Sequence, residues 1–522
     1  MELDGPTTVH ANSCLTMGST WLADEDCAAR LVYIDGRFCP TLSKITTSES
    51  SFTVTNVRAE SKGETDIFNS NHIQALQHLP DGFTDLIPVD DDTHDDFDYY
   101  KPDGPLLLSK LSGVDHRVGK AQSQFAMNNQ QGTAAFAALN TLKCTNVALV
   151  DIPEGVIVEK PILIVNAYTT QTRCGDADAE PQGVSFHPRL LVVGDKRSSA
   201  DIVQVCADID LTPSDEATEA YKPPARLHNG YSQIYVKAGA NITHTYVQEN
   251  GGIVIPDVED DDNTPRDQET KRPPIRDVHL ECLDVHVTGS QGNYKGNVLA
   301  FGGMGRSRIS MTLTLANGGA CGAINGLMLS GGLQRTDMRT TIHHVAEACK
   351  SIQQQRNMLV SNEYGFLPEL SAYFVSEPNQ LGPFENFQGG RASQTFKGRI
   401  RVEQDAQKTD SSQLARTILL TDKARVWAMP SLEIIADDVQ CTHGATVSDL
   451  SEEELFYLRS RGLDTTISRN LLMYAFVDEI CREVLPSLLG TEKSGLKKRI
   501  IDRLQNLVPK GQRAVMGDFQ SV

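Results

Sequence analysis

From about Thr145 the chain changes character and keeps the new one for roughly three hundred residues: short apolar segments with two-residue alternation recur, separated by Gly, Asn and Asp. Val147–Ile152, Ile162–Val165, Leu190–Val193, Ile202–Cys206, Ile234–Val236 and Ile242–Val247 are examples, and Ile309–Leu315 alternates without a fault before Asn317-Gly318-Gly319. No amphipathic stretch of crossover length lies between these strands, which disfavours βαβ units. Many short strands leave a sandwich, a barrel or a solenoid. So long an uninterrupted run is easier as a solenoid, where each rung stabilises itself on the last, although no strict repeat is visible in the letters. Acidic or Pro-rich segments at 171–182, 211–226 and 254–276, and a Pro/Gly/Asn-rich one at 361–393, fall between strands and read as loop insertions.

The flanks follow other patterns. Arg30–Phe38 reads as a short hairpin turning on Asp35-Gly36. An acidic segment around 90–103 reads as an insertion or linker, and Gln122–Leu142 reads as a helix burying Phe125, Ala134, Ala138 and Leu142. At the other end Ser451-Glu452-Glu453-Glu454 is a capping box, with the helix it opens stopping near Gly462. A second helix starts near Thr466, with Ile467, Leu471, Ala475, Phe476 and Ile480 on one face and Pro486 at its end; a third spans 492–508. The chain therefore divides into an N-terminal mixed and helical region (1–143), a β core (144–447) and a C-terminal helical region (448–522).

Composition narrows the function. With 39% hydrophobic and 22% charged residues the 522-residue chain has globular composition. A net charge of −20 argues against general affinity for nucleic acid or anionic lipid. Eleven cysteines without a CxxC pair fit reduced thiols better than a disulfide framework or a zinc ribbon. No apolar run reaches transmembrane length, and the acidic start has no signal-peptide or transit character. No phosphate loop of the Gly-x-x-x-x-Gly-Lys-Ser/Thr kind occurs, so no nucleotide is expected to bind by that device. No nucleophile elbow occurs either.

Phe396-Lys-Gly-Arg-Ile-Arg-Val402, Ala406-Gln-Lys-Thr-Asp410, Pro430-Ser-Leu-Glu-Ile434, Ala436-Asp-Asp-Val439, Cys441-Thr-His-Gly-Ala-Thr446 and Leu455-Phe-Tyr-Leu-Arg-Ser-Arg-Gly462 follow one another in order. Together they resemble the SufB/SufD family of iron–sulfur cluster assembly scaffolds. Weaker matches at 136–162 and 337–344 extend the likeness over most of the chain after residue 130. The resemblance implies a right-handed parallel β-helix that pairs end to end with a second subunit, and C-terminal helices that hold a SufC-type ABC ATPase. SufB-type chains carry an essential cysteine a few residues before the family's proline. Aligned on Pro430, that position here is close to Ala424, and no cysteine lies between Cys349 and Cys441. The Cys441-to-Thr446 segment instead resembles the SufD branch.

In a Cys-x-His strand both side chains share a face with Cα atoms about 6–7 Å apart, which makes Cys441 and His443 a plausible donor pair for transient iron or a nascent Fe–S cluster. The resemblance assigns the ligand role to His443, at the interface with SufB; Cys441 is either a second donor or a small core filler. Asp437-Asp438 and His343-His344 are adjacent pairs, so each pair points to opposite faces and chelates poorly. Glu403 and Gln407 are candidate polar neighbours. The expectation is a non-catalytic SufD-type scaffold subunit, acting with SufB and the SufC ATPase, with a homodimer left open for the isolated chain, in a plastid stroma without its transit segment or in a bacterial cytoplasm. A purely structural SufC-binding partner and a β-helical carbohydrate-active enzyme are the alternatives, the latter opposed by sparse aromatics.

Overall fold

The computed structural model describes residues 27–45, 51–58, 134–169, 184–209, 226–250, 277–301, 306–331, 334–360, 392–421, 424–483 and 500. The chain begins with the hairpin β1 (Ala29–Ile34) and β2 (Arg37–Phe38), then β3 (Thr53–Arg58) and helix α1 (Ala134–Lys143). Asp35 and Gly36 both take positive φ, 49° and 74°, the geometry that fits a two-residue hairpin turn and that Asp-Gly adopts cheaply.

Strand pairs follow. They are β4 (Asn146–Ile152) with β5 (Ile162–Thr169), after which comes the short β6 (Val184–Phe186), then β7 (Arg189–Gly194) with β8 (Ser199–Ile209), β9 (Arg226–Val236) with β10 (Asn241–Gln248), and β11 (Val278–Val287) with β12 (Asn293–Ala300). Next are β13 (Arg306–Leu315) with β14 (Cys321–Gly331), β15 (Arg335–His344) with β16 (Lys350–Val360), β17 (Ser393–Val402) with β18 (Asp410–Leu419), and β19 (Arg425–Ile434) with β20 (Gln440–Ser448). The first strand of each pair joins one sheet and the second joins the other, each laid parallel on the equivalent strand of the rung before. The result is a two-sheet solenoid of the β-helix kind. Its strands are parallel without crossover helices because each connection turns into the opposite sheet.

Between the sheets lies one continuous apolar core, with Leu31, Ile164, Ile202, Ile234, Leu283, Leu313, Ile342 and Ile400 among its members. The strands run longer than the apolar segments that announce them. β9, for instance, begins at Arg226, well before Ile234, because ladder hydrogen bonds carry polar residues into the sheet.

The repeat that the letters conceal is one of backbone conformation. At the turn inside successive rungs Gly155, Arg197, Gly239, Gln291, Gly319, Ala348 and Lys408 take left-handed φ between 54° and 75°. Each donates its N–H to the carbonyl just before the equivalent turn position of the next rung: Lys196, Ala238, Ser290, Gly318, Glu347, Gln407 and Asp438, at 2.6–3.3 Å. A small buried residue follows most of them: Ser198, Ala240, Gly292, Ala320, Cys349 or Thr409. A Cβ in the left-handed region costs about 1–2 kcal/mol, part of which glycine recovers. Ala348→Gly should therefore raise stability by about 0.5–1 kcal/mol, read as a higher urea midpoint; an unchanged or lower midpoint would contradict the turn assignment.

Two helices close the described chain: α2 (Glu452–Ser460) and α3 (Thr465–Cys481). Ser451 caps α2, its hydroxyl accepting from the Glu454 N–H at 3.3 Å, and Gly462 at φ 92° ends it. Asp464 caps α3 by accepting from the Ile467 N–H at 2.9 Å. α3 lies on the outer face of the sheet holding β14 and β16, where Met473, Val477 and Ile480 join Leu299, Leu327 and Met358 in a second apolar cluster. Burial of each such side chain stabilises by about 1.5–3 kcal/mol. Arg356 fastens the helix to the sheet: it pairs with Glu479, donates to the Phe476 carbonyl at 3.2 Å and lies over the Phe476 ring.

Several expected positions move. Of the five residues placed on the buried face of this helix only Ile480 is buried; Ala475 is exposed, and the packed stripe runs Met473, Val477, Ile480. The periodicity was shifted because Arg356 and the sheet, rather than the most apolar stripe, set the helix's rotation. In α1, Leu142 is exposed while Ala137, Asn140 and Thr141 are buried. Asn140 is drawn in because its amide donates to the carbonyls of Pro188 and Asn229. Phe125, the acidic insertions, Pro486 and the helix expected over 492–508, apart from buried Ile500, lie outside the described residues.

Candidate functional site

The last rung is stacked on one side only: β19 on β17 and β20 on β18. Its outer strand edges and its share of the interior carry no further described rung. Burial changes accordingly, since β18 alternates buried and half-exposed positions whereas β19 and β20 have no fully buried residue. Trp427, Met429, Ile434, Ile435 and Val447 are 41–49% exposed there. Pro430 can occupy the middle of β19 because an edge strand tolerates a missing ladder donor.

β20 brings the expected donors to this end. The register sets Cys441 on Ser411 and His443 on Gln413, both of which are buried. Cys441 packs against the interior core, so alternation turns His443 to the same inward face, where no further described rung follows and the imidazole is exposed. Below it in the same column Gln413 Nε2 donates to Gln353 Oε1 at 2.7 Å, and Gln353 Nε2 donates to Thr340 Oγ1 at 2.6 Å. Gln413 Oε1 is buried and unpaired, and His443 is the next side chain in that column. A ring N–H given to that oxygen would fix the tautomer and leave the other nitrogen for a metal. Burial, with the Asp410 carboxylate nearby, raises the Cys441 thiol pKa, so it stays protonated at neutral pH unless a cation displaces the proton.

The other candidates have structural partners. His343 bonds to Glu403 at 2.7 Å and burial lowers its pKa; His344 bonds to Ser351 at 2.9 Å, and burial brings its pKa to about 3. Burial works against the Glu403 carboxylate, but hydrogen bonds from Arg401 and His343 outweigh it and hold the pKa below its ordinary value. Asp437 and Asp438 are exposed in the turn before β20, where the Asp438 N–H donates to Gln407 Oε1 at 2.9 Å. Glu403 and Gln407 thus brace the last two turns. Ala424 is buried just before β19, at the edge of the rung opposite Cys441.

A second group escaped the reading of the sequence. Cys206, His228 and Glu281 converge inside the solenoid, far from the terminal rung in strand order. The signal was present: strand parity that sends Ile234 and Val236 inward also sends His228 and Ser232 inward. Only the apolar half of β9 carries a strand pattern in its letters, so its polar half shows no face in the sequence.

Comparison with known proteins gives a family. The model described as "SUF system FeS cluster assembly, SufBD core domain" matches residues 177–363 and 384–476, more than half of the chain. A SufBD family iron–sulfur cluster assembly protein of Synechocystis is 27% identical over 371 residues, 71% of this chain and 67% of its own. The chloroplastic protein ABCI7 of Arabidopsis thaliana is 25% identical over 388 residues, 73% of this chain and 65% of its own. SufD of Escherichia coli is 39% identical over 124 residues, 24% of this chain and 27% of its own. SufB of Bacillus subtilis matches as well, 24% identical over 365 residues. The matched part thus spans about two thirds of the length of the Synechocystis and Arabidopsis relatives. Among the described residues no helix is long and apolar enough to cross a membrane.

Proposed function

The chain belongs to the SufBD core family of the SUF iron–sulfur cluster assembly system, and from that premise we propose that it is a SufD-type, non-catalytic scaffold subunit. Its last described rung pairs with a SufB subunit, and His443 at that junction helps hold iron or a nascent cluster as cargo. The observation that carries this reading is the one-sided rung that ends in an exposed imidazole. Unpaired strand edges and exposed apolar side chains are what strand addition by a partner covers. Ala424 in place of the SufB-type cysteine, and the short stretch of higher identity to a SufD, favour this branch over the other.

The helices suit a separate partner. α3 spends one face on the sheet, whereas Phe456 (74% exposed) and Tyr457 (57% exposed) stand out from α2. Aromatic side chains left bare on a docked helix make a natural anchor for a SufC-type ATPase, which supplies the nucleotide hydrolysis. Relatives from a chloroplast and from bacteria support a plastid stroma or a bacterial cytoplasm as its compartment.

Co-production with SufB and SufC, followed by native mass measurement, tests the assembly. A complex containing one copy of this chain with SufB and SufC is expected, and a chain that stays apart from SufB would overturn the reading. Deleting the helices would uncover Leu299, Leu327 and Met358, so SufC docking is better tested with Phe456→Asp and Tyr457→Asp together. Capture of SufC should fall at least about thirtyfold, the loss of one aromatic anchor of about 2 kcal/mol, with SufB pairing kept. Undiminished SufC capture would refute the α2 contact.

A further inference from the structure

The interior cluster is built from four consecutive strands. β8 contributes Cys206, β9 His228, Gly230 and Ser232, β10 Tyr246, and β11 His279 and Glu281. Cys206 Sγ, His228 Nε2 and a Glu281 carboxylate oxygen lie within 4.8 Å of one another, with 4.0 Å between the first two and 3.1 Å between His228 Nε2 and Glu281 Oε2. Cys206 is 0%, His228 3% and Glu281 1% exposed. The Tyr246 hydroxyl stands 3.5 Å from the thiol, 3.2 Å from Glu281 Oε2 and 2.7 Å from His279 Nε2.

Two independent features say that this convergence is shaped. A Cβ on Gly230 would lie 1.9 Å from Glu281 Oε2 and 2.9 Å from His228 Nε2, so only glycine leaves the volume in which those atoms meet. The His228 ring is held flat against His279, at 4.0 Å and 7° between planes, with Tyr168 edge-on at 5.2 Å, which aims Nε2 at the carboxylate. His228 and His279 also line a cavity of about 30 Å³, room for one water-sized guest, walled in part by Asp208, Arg226 and Asp277.

We propose that Cys206, His228 and Glu281 form a buried site for a divalent transition metal of the zinc or ferrous-iron class, with the Tyr246 hydroxyl beside it. One thiolate, one carboxylate and a neutral imidazole cancel the charge of a dication, which the low-dielectric interior requires. Tetrahedral bonds of about 2.0–2.3 Å set donors about 3.3–3.6 Å apart, so a bound ion would draw the Cys206 sulfur in from its 4.0 Å to His228 Nε2 and ease the 3.1 Å His228–Glu281 contact apart. A bound cation would take the place of the Cys206 thiol proton, so metal uptake would release one proton. Such a site is enclosed and joins three rungs. It would hold a resident metal that pins the register of β8, β9 and β11, distinct from the exchangeable cargo at His443.

The test uses the full chain carrying Cys441→Ala and His443→Ala, which removes the terminal donors. It is loaded with Co(II) in two ways: in the growth medium, and by titration after purification. One cobalt per chain with a thiolate-to-cobalt charge-transfer band is expected, together with a higher melting temperature than the metal-free protein. Cys206→Ser should remove the band. Glu281→Gln keeps the shape beside Ser232 and Tyr246, so it guards against a folding failure, and should weaken cobalt binding at least about tenfold. No band under either loading, a band that survives Cys206→Ser, or unchanged affinity in Glu281→Gln would each overturn the proposal and leave a metal-free hydrogen-bonded network.

Discussion

In a complex reconstituted with SufB and SufC, His443→Ala should cut the rate of cluster formation at least about tenfold while leaving the complex assembled. Loss of mere outer partners of a metal ligand already costs about 10–100-fold, and His443 is proposed as a ligand itself. The residue is exposed on the last strand and fills no core space, so its removal should leave the melting temperature within the narrow range of ordinary surface substitutions. Cys441→Ala separates the two roles open to its neighbour. If the thiol is a donor, cluster formation falls with it. If it only packs against the core, the variant loses a little stability and keeps activity. Normal cluster formation by the His443 variant would remove the site from the proposed function.

Trp427→Asp combined with Val447→Asp should abolish pairing with SufB. Each places a carboxylate at an exposed position of the terminal rung, one in each of its two strands, Trp427 in the outward column of Thr395 and Val447 in the inward column of Thr417. Truncating a central interface aromatic costs about 2 kcal/mol or more, and burying an unpaired carboxylate adds to that. Together they amount to about 4 kcal/mol, or roughly a thousandfold in affinity. The fold should survive, because both side chains already meet solvent. Analytical ultracentrifugation of the variant with SufB reads the outcome, and a complex of unchanged stability would place the interface elsewhere. The same variant should retain SufC, since Phe456 and Tyr457 are carried by α2 and not by the strands of this rung.

How far these features could be read from the letters depended on the kind of information involved. The Asp35-Gly36 hairpin and the Ser451 cap were legible because local backbone chemistry decides them. The mainly β, solenoid-like architecture was legible from the run of strands without crossover helices. The rung repeat was not, because it is kept as a left-handed φ that Gly, Arg, Gln, Ala and Lys all adopt in turn. The face of α3 was misread because an ion pair and a cation–π contact from Arg356 override its weak amphipathicity. The terminal Cys441 and His443 were found through their neighbours in sequence. The interior trio was hidden because Cys206, His228 and Glu281 lie on three strands separated by long insertions: parallel register brings His228 beside Glu281, and the facing of the two sheets brings in Cys206.

The ladder of left-handed turns has a consequence for how such a chain can grow. Those turns keep one edge of the solenoid short, with four to nine residues between the paired strands, and each left-handed N–H is committed to the next rung. The long segments at 170–183, 210–225, 251–276 and 361–391 all join strands across the other edge. Lineages can therefore lengthen the chain on one margin without disturbing the stack, while the bonded margin admits almost no insertion. An epitope tag or fluorescent domain should be accepted at 251–276 and rejected between Gln291 and Asn293.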